Sequence, residues 1–390
     1  MTSLQQLSRT ILLFQADLAL TNSDTVLRAL TSPSVVLVAG SDVMGTFAGQ
    51  VALTTSAMLM ARSGHTVFID APNARLLGDQ PPLKGRTVHE AISSIGDQLI
   101  EGVQVSIGCP LLMPDIAFIF GGGTAGVGVR AKRIVSVGWT EWAGEIRDWP
   151  LGSLTASTDW PLGAMAAAVL VASEAAKLPG RSLAAASTHR EHYRELFAPL
   201  AAARLSLAPE STRKVAHVGD LDIISAGAVS NAFLYALLRL PNVEGHARAF
   251  DRDRSEPSNR NRNMLLVPDF GQLPKVDLFE HFSNGLRVKG LSRHFEKADL
   301  ATIAERVAVG VDDIPTRWML AGPDSPGWEW AQRATSTLWR RRTSLILPVR
   351  PASTRTTSRW KATRRPLRSC PSSPGCSWRQ IFFAMSPVPR

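Results

Sequence analysis

The order of apolar and polar segments predicts a strand–turn–helix–strand unit near the start of the chain. Residues 35–39 form a continuous apolar run rich in valine, which is typical of a strand covered on both faces. A glycine-rich turn from Gly40 leads into an apolar helix that runs to Ala61, and a second strand, residues 65–70, ends in an acid. This order predicts a βαβ unit with a glycine-rich first turn.

The same pattern begins again in the second half of the chain. It predicts a strand over 221–225, a tight turn over 225–230, an apolar helix over 231–240 and a strand over 246–251. Serine stands at the first and last positions of this turn, where a dinucleotide-binding turn is expected to carry glycine. The chain therefore contains two copies of one design.

This repetition predicts an α/β fold with Rossmann-like doubly wound sheets in two tandem Rossmann-type halves. A chain of 390 residues is long enough for two or three domains. Further strands are predicted at 114–123, 133–139, 285–290 and 306–311, and helices over 1–31 and 161–177. The predicted boundaries are an N-terminal Rossmann-like domain 1–180, a connector 181–214, a second Rossmann-like domain 215–322 and an irregular basic tail 323–390.

The net charge of +10 belongs to the end of the chain. Residues 331–390 hold 13 Lys and Arg and no acid, which leaves 30 basic and 33 acidic residues in 1–330. Because the body of the protein is mildly acidic, we do not expect nucleic acid as a partner.

Cysteine content and the length of the apolar runs predict a cytoplasmic protein. Three cysteines cannot build a disulfide framework, so a reducing compartment is the default. The first twenty residues lack the basic segment, apolar core and cleavage site of a signal peptide. The longest apolar run, residues 162–173, is shorter than the roughly 20 residues of a membrane helix, so we expect a buried helix and no membrane partner.

The polar segment FDRDRSEPSNRNRN, residues 250–263, directly follows the last strand of the second copy. Ligands of doubly wound sheets bind beyond the carboxyl ends of the strands, so this segment is a candidate site. Its spacing is Asp251-x-Asp253-x4-Ser258-Asn259-x2-Arg262, followed by Lys275 in GQLPK and by Asp312 in VGVDDIPTRW. Over about residues 215–322 this pattern resembles the ThiF/MoeB/HesA family, relatives of the ubiquitin-activating enzymes. The family pattern is roughly D-x-D-x4-S-N-x2-R-Q, then G-x-x-K, then an aspartate after a later strand; here the lysine comes one residue later.

The resemblance implies an enzyme that binds ATP and Mg²⁺ and adenylates the C-terminal carboxylate of a ubiquitin-like or sulfur-carrier protein, releasing pyrophosphate. It implies that Asp253 holds the ribose hydroxyls, that Asp312 holds Mg²⁺ and that Gly227 lets the backbone approach the nucleotide. Asp251 is expected to be structural. A homodimer of this chain is considered as a further possible partner interaction.

The resemblance assigns the phosphates to three side chains, Asn259, Arg262 and Lys275. Arg262 is the best candidate for stabilising charge in the transition state, because a guanidinium group offers fixed, bidentate donors. Arg262, Asp312 and Asn259 are therefore the catalytic candidates.

Two features of the family are missing from the sequence. Members often carry two CxxC pairs that bind structural zinc, and many have a transfer cysteine after the aspartate. Cys370 and Cys376 are spaced C-x5-C in an Arg-, Ser- and Pro-rich context, so zinc is not supported. Cys109 is predicted to be a small buried side chain.

Beyond about residue 322 the chain shows no sustained periodicity, and no acid follows Glu329. A surplus of Arg, Ser, Pro and Trp is typical of a GC-rich coding region read out of frame. We hypothesise that 323–390 is a frameshifted end, which would leave the chain truncated and its activity impaired. An intact single reading frame in independent isolates would refute this.

Alternatives remain open for both halves. Residues 1–180 fit an inactive partner of the adenylating half or an unrelated Rossmann module. The whole chain fits, less well, an NAD(P)-dependent oxidoreductase with Asp70 or Asp251 on the ribose, although no Tyr-x3-Lys pair is present. A non-catalytic scaffold that binds a small modifier protein is the third alternative.

Overall fold

The computed structural model describes residues 2–121, 128–149, 159–185, 187, 190–208, 214, 216–321 and 338–341. These residues form two β-sheets, each mostly parallel, with helices packed against them. The predicted α/β class with two tandem Rossmann-like halves is confirmed.

The first half is built on a seven-stranded sheet. Its strands are β1 Ser34–Ala39, β2 Thr66–Asp70, β3 Val105–Ile107, β4 Ile116–Phe120, β5 Ile134–Trp139, β6 Ala143–Asp148 and β7 Ala202–Ser206. Their order across the sheet is β3-β2-β1-β4-β5-β6-β7, and the first five are parallel. β6 and β7 add an antiparallel edge. β1 and β4 are almost wholly buried, as their continuous apolar runs require.

Eight described helices accompany this sheet. They are α1 Ser3–Gln6, α2 Ser8–Leu18, α3 Ser23–Thr31, α4 Ser41–Met44, α5 Phe47–Arg62, α6 Val88–Leu99, α7 Leu162–Ala185 and α8 Arg190–Leu196. The predicted helical region 1–31 is thus three helices. The side chain of Asn22 caps α3, and Thr87 with Glu90 forms a capping box on α6, so local sequence sets both starts.

Helix α7 extends beyond its predicted end at residue 177. It continues through Pro179 and Gly180 to Ala185, because tertiary packing overrides the local stop signal. A Cβ at Gly180 would lie 2.5 Å from the ring of Phe197, so this glycine makes room for the residue that follows α8. Most of the predicted connector 181–214 therefore packs on the first half, including β7.

By length and composition, α7 is the one helix in the described part of the chain that could cross a membrane. Within its most apolar window, 61% of the residues are buried inside the protein. Its apolar character therefore serves the core, as expected for the run 162–173.

The second half is built on a smaller sheet. Its strands are β8 His217–Ile224, β9 Glu244–Phe250, β10 Leu286–Leu291, β11 Arg306–Val309 and β12 Leu338–Arg341, and its helices are α9 Ala228–Leu237, α10 Lys275–His281 and α11 Ile314–Ala321. The order is β10-β9-β8-β11-β12, with the first four parallel and β12 antiparallel to β11. β12 lies within the predicted tail 323–390, whose other residues are outside the described ones.

Both sheets reverse direction at their first strand. The chain runs outward from β1 to β2 and β3, and then returns to place β4 on the other side of β1. It does the same from β8 to β9 and β10, and then places β11 on the other side of β8. Such a switch point opens a crevice at the carboxyl ends of the two strands, where open α/β sheets bind their ligands.

The two halves pack against each other through one hydrophobic core. That core contains Leu37 and Val67 of the first half together with Ile223 and Leu234 of the second. The two halves therefore form a single packed body, and residues of one half can reach the strand ends of the other.

Candidate active site

The switch point of the second sheet carries a direct strand-to-helix turn. β8 ends at Ile224, and Ser225, at φ +81°, reverses the chain into α9. Gly227 is the N-cap of α9, and no side chain caps this helix. The first N–H groups of a helix have no partner within it, and they favour an anion at its N-terminus.

Asp251 holds this turn in place. One carboxylate oxygen, Oδ2, accepts the N–H of Ala226 at 2.7 Å, and the other accepts the N–H of Asp253 at 2.8 Å. The expected structural role of Asp251 agrees with these bonds. The aspartate ties the end of β9 to the turn after β8 and fixes the edge of the crevice.

Two positions near this turn are glycine for different physical reasons. A Cβ at Gly310, just after β11, would lie 2.2 Å from the Oγ of Ser230, so that glycine is required for the packing of β11 on α9. A Cβ at Gly227 would meet only the Oγ of Ser225, at 3.2 Å. A side chain at 227 would require only a small shift of the Ser225 hydroxyl and would meet no backbone atom, so its absence keeps the space before α9 open.

Asp253 and Lys275 form an ion pair at the same edge. The Nζ of Lys275 lies 2.8 Å from the Oδ2 of Asp253, and the N–H of Lys275 donates to the Asp253 carbonyl at 2.9 Å. The hydrogen bond from Lys275 is the main reason that the pKa of Asp253 lies below its usual value. The lysine side chain is 15% exposed and the aspartate 58%, so the carboxylate can still accept from a ligand.

Asn259 and Arg262 lie together on the turn after β9. Asn259 is buried, and its Oδ1 accepts the N–H of Glu256 at 3.1 Å. The Nη1 of Arg262 donates to the carbonyl of Ser258 and, at 3.1 Å, to the Oδ1 of Asn261. The Nε and Nη2 groups of Arg262 have no acceptor among the described residues, so half of the fork remains available.

Arg262 has a cationic neighbour that sequence reasoning missed. Burial is the main cause that lowers the pKa of Arg262, and the positive charge of Arg9 in α2 lowers it further. Asn261 contacts the same helix, since its Nδ2 donates to the Oγ1 of Thr10 at 3.1 Å. The carboxylate of Glu256 acts in the opposite direction and raises the pKa of Arg262, and a bound anion would add to that effect. No local spacing could have paired positions 9 and 262.

Asp312 and its neighbour have separate surroundings. Asp313 caps α11: its Oδ2 accepts the N–H and the Oγ1–H of Thr316, at 2.8 and 2.6 Å, and these bonds lower the pKa of Asp313. Asp312 is exposed, and its carboxylate has no hydrogen bond or ion pair with a described residue. A free carboxylate therefore follows β11, beside the turn after β8.

The predicted residues fall into three groups. Asp253 and Lys275 are in contact, Asn259 and Arg262 share one turn, and Asp312 stands alone after β11. Asp253, Asn259, Arg262 and Asp312 follow the carboxyl ends of β9 and β11, and Lys275 is the first residue of α10. As a minor cause, the charge of His294 lowers the pKa of both Asp253 and Asp313.

The equivalent edge of the first sheet is built differently. The short helix α4 stands between β1 and α5, and the Oγ1 of Thr46 caps α5 by accepting the N–H of Gly49 at 3.1 Å. The Oδ2 of Asp70, at the end of β2, accepts the thiol of Cys109 at 3.1 Å. No side chain caps α4, but this helix is only four residues long, and the longer helix α5 is capped. One oxygen of Asp70 is engaged by Cys109.

The prediction that Cys109 is buried was wrong. This cysteine is exposed, because it follows β3 at the carboxyl edge of the sheet instead of entering the core. Its hydrogen bond to Asp70 is the main cause that raises the pKa of the Cys109 thiol, which keeps the thiol protonated. Cys370 and Cys376 lie outside the described residues.

Within the described ranges, no group of three or more His, Cys, Asp or Glu side chains is arranged to hold a metal ion. A cation at Asp312 would therefore need most of its ligands from another source, such as phosphate oxygens and water.

Comparison with known proteins gives one family match. Residues 34–194 match the model of the BilD N-terminal domain, which covers the first sheet through β6 together with α7 and most of α8. No curated protein matches the chain. The resemblance of 215–322 to the ThiF/MoeB/HesA family stays a prediction, since the match lies outside that region.

Among solved structures, the chain is similar to E. coli MccB at 12% identity, with a TM-score of 0.32, over 51% of this chain and 69% of MccB. It is similar to MccB solved with ATP at 17% identity, with a TM-score of 0.23, over 25% of this chain and 31% of that one. PaaA matches at 22% identity, with a TM-score of 0.20, over 22% and 28%. In the MccB structure with succinimide the chain spans 30% of MccB, so these are partial similarities.

Proposed function

We propose that the second half binds ATP with Mg²⁺ and adenylates the C-terminal carboxylate of a ubiquitin-like or sulfur-carrier protein. The observation that carries this proposal is the uncapped N-terminus of α9, with no side chain at Gly227, at the switch point of the sheet. The free carboxylate of Asp312 follows the strand on the other side of the switch point.

In this proposal the nucleotide is held by groups that remain available. The N–H groups of α9 and the free donors of Arg262 face negative charge on the phosphates, and Asn259 and Lys275 add further contacts. The exposed carboxylate of Asp253 accepts from the ribose while Lys275 keeps it ionised. Arg9 provides a second guanidinium from the first half.

The residues present fit Mg²⁺ in the form in which it accompanies a nucleotide. Magnesium takes one or two protein carboxylates, and phosphate oxygens and water complete its six ligands. Asp312 supplies one such carboxylate that no described group neutralises. Bound there, the ion would offset negative charge on the phosphates.

In this reaction the protein contributes charge and positioning of the reactants and forms no covalent bond itself. A carboxylate oxygen of the carrier forms a bond to the α-phosphorus, the bond to the bridging oxygen breaks, and that oxygen leaves with pyrophosphate. Both reactants are anions, so fixed cations that meet the developing charge lower the barrier. Arg262 is suited to this role because its guanidinium is already held on one edge by Ser258 and Asn261.

We further propose that the first half is an inactive partner and not a second nucleotide site. The short helix α4, the Thr46 cap on α5 and the Cys109–Asp70 hydrogen bond support this, since in the second half the turn after β8 leads directly into the long helix α9, which no side chain caps. The match of residues 34–194 to a single N-terminal domain model is consistent with it.

The proposal is tested by ATP–pyrophosphate exchange with candidate ubiquitin-like and sulfur-carrier proteins. Exchange should depend on one such carrier and should vanish when the carrier lacks its last residue. Binding of NADH without exchange would indicate an oxidoreductase instead. Carrier binding with no nucleotide affinity would indicate a scaffold.

The substitution Gly227→Ala tests whether position 227 is glycine to make room for a ligand or to allow the protein to pack. Alanine is a poorer N-cap than glycine by about 1 kcal/mol, so we expect the thermal midpoint of the variant to fall by only about 3 °C. The added methyl fills the space before α9, so the dissociation constant for ATP should rise about tenfold or more. Equilibrium binding and thermal unfolding measure the two effects.

Gly310→Ala is the matched control for this substitution. Its Cβ would overlap Ser230, so we expect a clear fall in thermal midpoint. Unchanged ATP affinity in folded Gly227→Ala protein would contradict the assignment of the phosphate position.

A further inference from the structure

We infer that Arg62, in the last turn of α5, is a positioning residue that fixes the segment 260–266 of the second half from the first half. Segment 260–266 carries Arg262, so the functional consequence rests on the proposed function. The structural part of the inference stands on contacts alone.

The guanidinium of Arg62 binds three backbone carbonyls of this one segment. Its Nη2 donates to the carbonyls of Met264 and Leu266, at 3.0 and 2.9 Å. Its Nη1 donates to the carbonyl of Arg260. The three acceptors lie on both sides of Arg262, so a single side chain sets the course of the backbone through that residue.

Arg62 is buried without a carboxylate among its described partners. It is 1% exposed, and loss of solvation is the main cause that lowers the pKa of Arg62 to about 9. A buried cation must find its hydrogen bonds inside the protein. Here backbone carbonyls alone supply them, so the charge is stable only while segment 260–266 keeps its shape. Conversely, removing the guanidinium leaves three carbonyls to find other donors.

Other contacts hold the same segment from the second half and from the N-terminal helices. The N–H of Leu265 donates to the Oδ1 of the buried Asn231 at 2.7 Å. Asn261 contacts Thr10. Three side chains, those of Arg62, Asn231 and Thr10, therefore hold the segment, and Arg62 binds it at three points.

Arg239 offers a matched control. It is also 1% exposed, and burial is the main cause that lowers the pKa of Arg239 to about 10. It too joins the halves, since it donates to the carbonyls of Tyr235 at 3.1 Å and Gln80 at 3.4 Å, and its guanidinium stacks on the Tyr235 ring. Its guanidinium makes no hydrogen bond to segment 260–266. A substitution there tests the loss of a buried cross-half arginine that makes no hydrogen bond to the segment.

The test compares Arg62→Lys with Arg239→Lys. Lysine keeps the charge but lacks the planar fork, so it cannot serve three carbonyls at once. Both variants should lose thermal stability. Only Arg62→Lys should speed amide hydrogen exchange in residues 260–266, by about tenfold or more, because those amides lose their fixed frame.

The kinetic constants provide a second test, because a general loss of stability does not change kcat or KM per folded molecule. For ATP–pyrophosphate exchange measured per folded molecule, well below the thermal midpoint, Arg62→Lys should lower kcat about tenfold and change the KM for ATP by less than about threefold. Arg239→Lys should leave both values near those of the wild type. Arg62→Gln provides a second variant, with the charge removed and the length nearly kept.

The two proposals fail in different ways. If the wild-type chain neither binds ATP nor exchanges pyrophosphate, the proposed function fails, and hydrogen exchange still decides whether Arg62 fixes the segment. If Arg62→Lys and Arg239→Lys show the same exchange in 260–266, the positioning role is overturned, whatever the activity. If Arg62 variants speed that exchange but keep wild-type kcat, the segment is fixed by Arg62 without serving catalysis, and the functional part is overturned.

Discussion

Replacing Arg262 with alanine is expected to lower carrier-dependent ATP–pyrophosphate exchange by at least about 100-fold. Removal of one fixed donor to a developing charge in a water-excluded site costs about two to three orders of magnitude in rate. The fold should survive, because Arg262 is only partly buried and its bonds go to its own turn. Initial exchange rates at saturating ATP, with circular dichroism for folding, measure both effects.

Two further variants make this result specific. Arg262→Lys keeps the charge but loses the bidentate geometry, so it should recover only a small part of the rate. Arg287→Ala removes an exposed arginine on β10, away from the carboxyl edge, and should leave exchange near the wild-type rate. If Arg262→Ala retains more than about half of the wild-type exchange rate, the assigned role of the guanidinium is wrong.

Replacing Asp312 with asparagine is expected to lower exchange by about 100-fold or more at physiological Mg²⁺. The change keeps size and hydrogen bonding while removing the negative charge that a hard cation requires. Because the carboxylate makes no bond to described protein groups, stability should change little. Raising the Mg²⁺ concentration should restore part of the rate, since the ion keeps its phosphate ligands. Magnesium titrations of the exchange rate measure this.

The adjacent Asp313 is the control for that variant. Its carboxylate caps α11 through Thr316, and asparagine is an equally good N-cap, so Asp313→Asn should keep both fold and magnesium dependence. If both variants lose the same exchange activity, or if Asp313→Asn loses more, the assignment of the magnesium ligand to Asp312 is wrong.

Burial on both faces of a strand leaves a continuous apolar run, which is how the sequence predicts β1; at β8 the run is shorter and is interrupted by the buried Asp222. Residues 35–39 and 221–225 correspond closely to β1 and the end of β8, and the acid after β9 ties the turn as expected. The residues grouped by spacing after β9 lie on adjoining loops, since the chain positions them locally. The parallel order of the strands then brings the end of β11 to the same edge.

What sequence reasoning missed depends on contacts between distant parts of the chain. Pro179 did not end α7, because packing of Phe197 on Gly180 outweighs a local preference. Cys109 was assigned to the core from its residue type, although its position after β3 places it at the surface. Arg9 and Arg62 have no local signature at all. Their importance arises only when the first half packs on the turn that carries Arg262.

The proposed nucleotide position is the carboxyl edge of the second sheet, and photolabelling with 8-azido-ATP followed by peptide mapping tests this position most directly. We predict label in peptides from 216–321, at the loops after β8 and β9, with full protection by unlabelled ATP and loss in Gly227→Ala. Label on the first half around Asp70, or no ATP-protected label, would contradict it.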